Sequence, residues 1–269
     1  VTCITQVEKM HELLLPTPFL SAVIDDCLSK GQDVTQGGAR YNFAGVQAIQ
    51  IANVADSLAA IKLLVYDEKK LSAQELLHAL QTNFEDAPLV RTMLLSKAPK
   101  YGNDVQWVDE LGAKWVNYLY TVSAHVPMGQ NVAASADGRY ARDPLADGGV
   151  SAMYGRDVSG PTALLHSVSR LPFEKASNGT LLNMKFLPQF FKTQTGIVKF
   201  TQLLRAVCRL GISHIQFNVL NEADLKDAQA HPENYRGLTV RVAGYTAYFT
   251  ELARDLQDEI IARTTYEAI

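Results

Sequence analysis

Residues 241–249 read RVAGYTAYF, and the role of one glycine in that run decides how the rest of the chain is understood. Just upstream, "LTVRVAG" (238–244) is strand-like and halts at Gly244. An aromatic pair, Tyr248 and Phe249, follows closely. A glycine that ends a strand usually supplies a turn or a bulge with positive φ. A second reading rests on a property that only glycine has. A radical on a backbone Cα is stabilised when the amide nitrogen donates into it and the carbonyl withdraws from it, and this requires a flat centre. A side chain crowds that arrangement. A protein that stores an unpaired electron on its backbone should therefore do so at glycine, in a loop closed to water. The nine residues alone leave both readings open.

Working outward, "SHIQFNVL" (213–220) reads as a buried strand entered through Gly211, and Asn221 as the cap of the next helix. Strand, helix and the strand reaching Gly244 then predict a parallel unit with a right-handed crossover. "DLQDEIIART" is an amphipathic helix, residues 195–210 another, and Pro161 opens a short helix at its first position. The first 120 residues are mostly helical. A helix over 4–14 is stopped by Pro16 and Pro18. "FLSAVIDDCLSKG" puts Phe19, Val23 and Cys27 on one stripe, with Gly31 as its C-cap. Asn53 precedes a helix over 54–67. Ser72 and Glu75 form a capping box with Leu71 as its staple, and helices follow over 88–97 and 104–120. "TVSAHVPMG" (121–129) reads as a strand and a turn. Residues 130–160 read as a long loop, of a length that marks function or disorder. The class is α/β with more helix than strand.

Composition narrows the function. The chain has 269 residues, 47% of them hydrophobic and 20% charged, as in an ordinary globular protein. A net charge of −3 without a Lys/Arg cluster gives no footprint for nucleic acid. No apolar run is long enough for a bilayer, and "VTCITQVEKM" lacks the basic start and apolar middle of a secretion signal. Cys3, Cys27 and Cys208 are odd in number and far apart, which favours reduced thiols in the cytoplasm over disulfides or zinc. The histidines show no ligand spacing, so no metal is expected. "GGARYNFAG" lacks GxGxxG, no GxSxG occurs, and "SADGRYARDPLADGG" lacks the Glu of an EF-hand loop.

RVAGYTAYF matches every fixed position of the pattern Arg-Val-x-Gly-Tyr-x-Ala-x-Phe, at Arg241, Val242, Gly244, Tyr245, Ala247 and Phe249. That pattern is the glycyl radical signature of the pyruvate formate-lyase-like enzymes. "PTPFLSAVIDDC", "QGGARYNFAGVQ", "APKYGND", "NGTLLN", "HIQFNV", "HPENYRGLTVRVAGY" and "LQDEIIART" also resemble that family, in the same order. The likeness is nearest to the glycerol/propanediol dehydratase and choline lyase branch. It implies an α/β, helix-rich fold that is the C-terminal part of a ten-stranded α/β barrel. Residues 1–220 would be the partial barrel and 221–269 the glycyl radical domain.

The resemblance also implies roles. Gly244 would store the radical, and Arg241 and Tyr245 would position its loop. Val126 and Pro127 in "SAHVPMG", read as a strand end followed by a tight turn, are the expected wall between the glycine and the substrate pocket. No cofactor would be bound. A separate radical S-adenosylmethionine activase with an iron–sulfur cluster would install the radical in the absence of oxygen. The radical would pass to a cysteine that abstracts hydrogen from a small polar substrate, which loses water, an amine or another leaving group. The activity implied is that of a dehydratase or lyase, or a formate acetyltransferase-like transferase.

Two departures bear on this. The family's catalytic cysteine lies in a Gly-Cys-x-Glu motif, whereas "TCIT", "DDCLSK" and "AVCRLG" do not match it. By order along the chain that motif falls upstream of residue 1, and Cys27 and Cys208 read as core residues on helical stripes. "WVNYLY" also runs straight into "TVSAHVPMG", where relatives carry a further stretch. A lone chain of this kind would be incomplete. It would need a second chain bearing the cysteine, or a homodimer, to cover its open edges and apolar face. The alternative is a non-catalytic spare part for a damaged enzyme, or an inactive fragment.

Overall fold

A computed structural model describes residues 2–48, 50–124, 131–135, 149–176, 179–242 and 245–266. α1 (Thr2–Leu14) stops short of Pro16, and α2 (Pro18–Ser21) and α3 (Cys27–Lys30) follow. The expected stripe of Phe19, Val23 and Cys27 does not form. Asp26 takes φ 76° and separates α2 from α3, leaving Phe19 86% exposed while Cys27 is buried. The cause is local. The Asp33 carboxylate accepts from Thr17 N at 3.0 Å, Ser21 Oγ at 2.7 Å and Thr35 N at 2.9 Å. These side-chain bonds fold the segment back and displace a continuous helix.

β1 (Phe43–Gln47) lies in the glycine-rich stretch where no element was expected. α4 (Ile51–Ile61) begins two residues before Asn53, which therefore sits in its first turn. α5 (Ala73–Gln81) has both bonds of the capping box, Glu75 N to Ser72 Oγ at 3.1 Å and Ser72 N to Glu75 Oε2 at 2.8 Å. α6 (Pro88–Ser96) and the long α7 (Gln106–Ala124) complete this half. Residues 121–124 are thus the last turn of α7 and not a strand. Thr121 Oγ1 donates to Asn117 O at 2.8 Å, which satisfies the hydroxyl within the helix. The strand is β2 (Asn131–Ser135), inside the supposed loop. It pairs parallel with β1 in the register Phe43↔Asn131 to Gln47↔Ser135.

α8 (Pro161–Ser169) opens at Pro161 as expected. β3 (Leu182–Phe186), α9 (Gln194–Arg209) and β4 (Ile215–Val219) form a parallel unit, with Leu182 opposite Ile215 and Phe186 opposite Val219. Asn221 caps α10 (Glu222–Ala230) through Ala223 N at 3.2 Å. β5 (Thr239–Arg241) and β6 (Thr246–Tyr248) pair antiparallel. α11 (Arg254–Ala262) leads into β7 (Thr265–Tyr266), which takes the other edge of β3, so the sheet order is β4-β3-β7. The expected parallel pairing of the 213–220 strand with the strand reaching Gly244 does not occur. The side chain of Asn218 in β4 takes Arg241 N and O, the groups that a backbone ladder between the two strands would use.

Period-two alternation splits the β3–β4 sheet into two unlike faces. Leu182, Met184, Phe186, Ile215 and Phe217 join a core that includes Ile51, Val108, Leu165 and Val207. Phe200 of α9 meets Phe217 at 5.0 Å and Phe191 at 4.9 Å between ring centres, both edge-on. The opposite face carries Asn183, Lys185, Gln216 and Asn218, all buried. A second cluster, of Leu225, Ala228, Val240, Val242, Phe249 and Ile260, packs α10, the hairpin and α11 together. Among the described residues no helix is long and apolar enough to cross a membrane.

Candidate active site

The glycine run folds as a hairpin. Arg241 faces Thr246 across the strands, and Val242 N donates to Tyr245 O at 2.9 Å. In sequence, Ala243 and Gly244 fall between Val242 and Tyr245. They lie outside the described residues, as do Val126 and Pro127. The guanidinium of Arg241 donates to Thr246 Oγ1 at 2.9 Å, a bond across the hairpin just below its tip. Tyr245 is half exposed at the tip itself.

The polar face of the β3–β4 sheet meets this hairpin. Asn218 behaves as a substitute strand: its Oδ1 accepts from Arg241 N and its Nδ2 donates to Arg241 O, each at 3.0 Å. Arg263, just past α11, donates to Arg241 O at 3.0 Å and to Val242 O at 2.9 Å. Asn183 Nδ2 adds a bond of 3.3 Å to Val242 O. Lys185 is 2% exposed and donates to the last carbonyls of α11, Ile260 at 3.3 Å and Ile261 at 3.0 Å. A helix C-terminus favours a cation at that position.

Below the hairpin these side chains line a cavity of about 20 Å³, together with Ser151 and Asp157. That is room for one water among polar partners. Asp157 accepts from the hydroxyls of Thr264 and Tyr266. Burial, and then the neighbouring Asp157 charge, push the Tyr266 phenol well above the usual tyrosine range, so it remains a donor. Cys27 is buried, as expected, whereas Cys208 is exposed, contrary to its reading as a core residue. The α9 stripe that packs inward runs through Leu203 and Val207, and Cys208 is one position past it. Among the described residues no three His, Cys, Asp or Glu side chains group as metal ligands would.

Sequence reasoning did not single out Asn183, Lys185, Asn218 or Arg263. A signal was present: polar residues at alternate positions in "LNMKF" and "IQFNV", where a strand covered by helices is expected to be apolar throughout.

Residues 1–136 match the pyruvate formate lyase-like family model, and residues 146–250 match the glycine radical model. The chain belongs to the pyruvate formate lyase-like family and carries its glycine radical region. It is 38% identical to trans-4-hydroxy-L-proline dehydratase of Clostridioides difficile, over 96% of this chain and 35% of that protein. It is 39% identical to isethionate sulfite-lyase of Oleidesulfovibrio alaskensis, over 94% of this chain and 33% of that one. The B12-independent glycerol dehydratase of Clostridium butyricum superposes with a TM-score of 0.88 at 39% identity, covering 97% of this chain and 35% of the other. The fold is therefore a helix-rich part of the family's α/β barrel, and the chain spans about a third of the length of these relatives.

Proposed function

We propose that the chain is the radical-bearing part of a glycyl radical dehydratase or lyase, with the unpaired electron stored on Gly244. In this reading residues 221–269 act as the radical domain and residues 1–220 as part of the barrel. The separate cluster around Leu225, Val240, Phe249 and Ile260 supports that division. The observation that carries the reading is the hairpin. The signature residues Arg241 and Ala247 lie in its paired strands, and the backbone of Arg241 and Val242, just ahead of Ala243 and Gly244 in sequence, is seated on buried amide and guanidinium groups. Arg241, through Thr246, and Tyr245 at the tip hold the loop's shape. Val126 and Pro127 are kept as the proposed pocket wall. A radical S-adenosylmethionine activase is the partner that would install the radical. The reaction is C–O or C–N cleavage of a small polar substrate; the dehydratases among the relatives support the C–O reading. A cytoplasmic location is supported by the odd number and wide spacing of Cys3, Cys27 and Cys208 in the sequence.

A second reading, of a spare part that needs another chain for turnover, is favoured by one observation. The N-terminal helices expose large apolar side chains, among them Leu13 at 74% and Phe19 at 86%. A second polypeptide or a second copy would cover them. Electron paramagnetic resonance after anaerobic activation tests the main reading. A glycine-type doublet is expected, and Gly244→Ala should remove it. A doublet that survives the substitution would move the radical elsewhere. Turnover by the activated chain alone would dismiss the spare-part reading.

A further inference from the structure

β5 and β6 have three residues each, too few to hold a hairpin in one place by their own ladder. What ties this hairpin to the sheet is side chains from three other elements. The carbonyls of Arg241 and Val242 are each approached twice: Arg241 O by Asn218 and Arg263, and Val242 O by Arg263 and Asn183. Arg241 N is held as well, by the same Asn218. Arg241 and Val242 thus have their position fixed from β3, from β4 and from the chain after α11.

Arg263 sharpens the point. It is 5% exposed, with Glu259 at 3.5 Å as its ionic partner. A buried charged pair is seldom more stabilising than apolar side chains of the same volume. A guanidinium does something those cannot, because its rigid fork spans two successive carbonyls and fixes the plane between them.

We propose that Asn183, Asn218 and Arg263 are positioning residues for the radical hairpin: they fix the backbone of Arg241 and Val242, the described residues nearest ahead of Gly244 in sequence. The proposal rests on the radical reading above. The test pairs Asn218→Asp, which keeps the shape but loses the donor to Arg241 O, with Arg263→Lys, which keeps the charge but loses the fork. Amide hydrogen exchange is followed in the whole chain, and the radical doublet is followed after activation. Amides of residues 239–248 should exchange about tenfold faster in each variant. Those of α9 and β3 should stay at wild-type rates, and the doublet should decay faster. Loop exchange equal to wild type, or protection lost equally through α9 and β3, would overturn the positioning role. A wild-type chain without a doublet would overturn the radical reading itself. The two failures are distinct, because amide exchange needs no radical.

Discussion

Asp109 shows how far single side chains in this molecule depend on their partners. Its side chain has no exposed surface, and Arg170 reaches it at 2.8 Å while also holding Asp104 at 2.6 Å. Burial pushes the Asp109 carboxyl up to about 6, against the lowering effects of a Ser167 hydrogen bond and the Arg170 charge. The native state therefore holds this proton more tightly than the unfolded chain does. Between 3.8 and about 6 the native form binds more protons, so this group's contribution to stability falls as pH rises through that window. Arg170→Met removes the partner and leaves a buried carboxylate, at a cost of roughly 3 kcal/mol. Urea unfolding should show the loss to be larger at pH 8 than at pH 5. Adding Asp109→Asn to the variant should flatten that difference. A loss independent of pH would mean that Arg170 acts through packing alone.

At the scale of elements, α9 depends on one residue without a side chain. A Cβ on Gly196 would stand 1.8 Å from Phe190 O, a backbone atom that can yield only by moving the preceding turn. Gly196 N also donates to the capping Thr193 Oγ1 at 3.0 Å, so the same residue completes the helix start. Gly196→Ala should lower stability by about 2–4 kcal/mol despite alanine's better helix propensity. Thermal unfolding of that variant beside Thr193→Ala, which should cost about 1 kcal/mol, separates the clash from the cap.

Elements of this kind were legible where the signal is local. The Ser72 box, Pro161, Asn221 and Gly211 act within a few residues, and each stands where the sequence puts it. Pairing partners were not legible, because they are decided over long range. β1 finds β2 some 88 residues away, and β5 turns back to β6 instead of joining β4. The break at Asp26 depended on Asp33 reaching back to Thr17 and Ser21. The hairpin at the candidate site was marked by its nine-residue signature. The groups that seat it come from strands 23 and 59 residues upstream and from position 263, and no spacing rule joins them.

For the molecule as a whole, one question is what meets its N-terminal surface. Met10, Leu13, Leu14, Phe19, Val23 and Leu28 on or between α1, α2 and α3 are each at least half exposed, while the inner core is fully buried. An isolated exposed leucine is ordinary, but six large apolar side chains within the first 28 residues mark an interaction surface. Each would gain roughly 1.5–3 kcal/mol on full burial, ample for self-association once the entropy of pairing is met. The chain by itself should therefore sediment as species larger than a monomer and bind an apolar dye such as anilinonaphthalene sulfonate. The triple variant Leu13→Glu, Phe19→Glu, Leu28→Glu should sediment as a monomer and bind less dye, because three carboxylates cannot be buried against apolar neighbours. Its circular dichroism should match the wild type, since none of the three residues contributes to the core. A wild-type chain that stays monomeric at all concentrations, with dye binding unchanged in the variant, would show that this surface is solvated as it stands and recruits no partner.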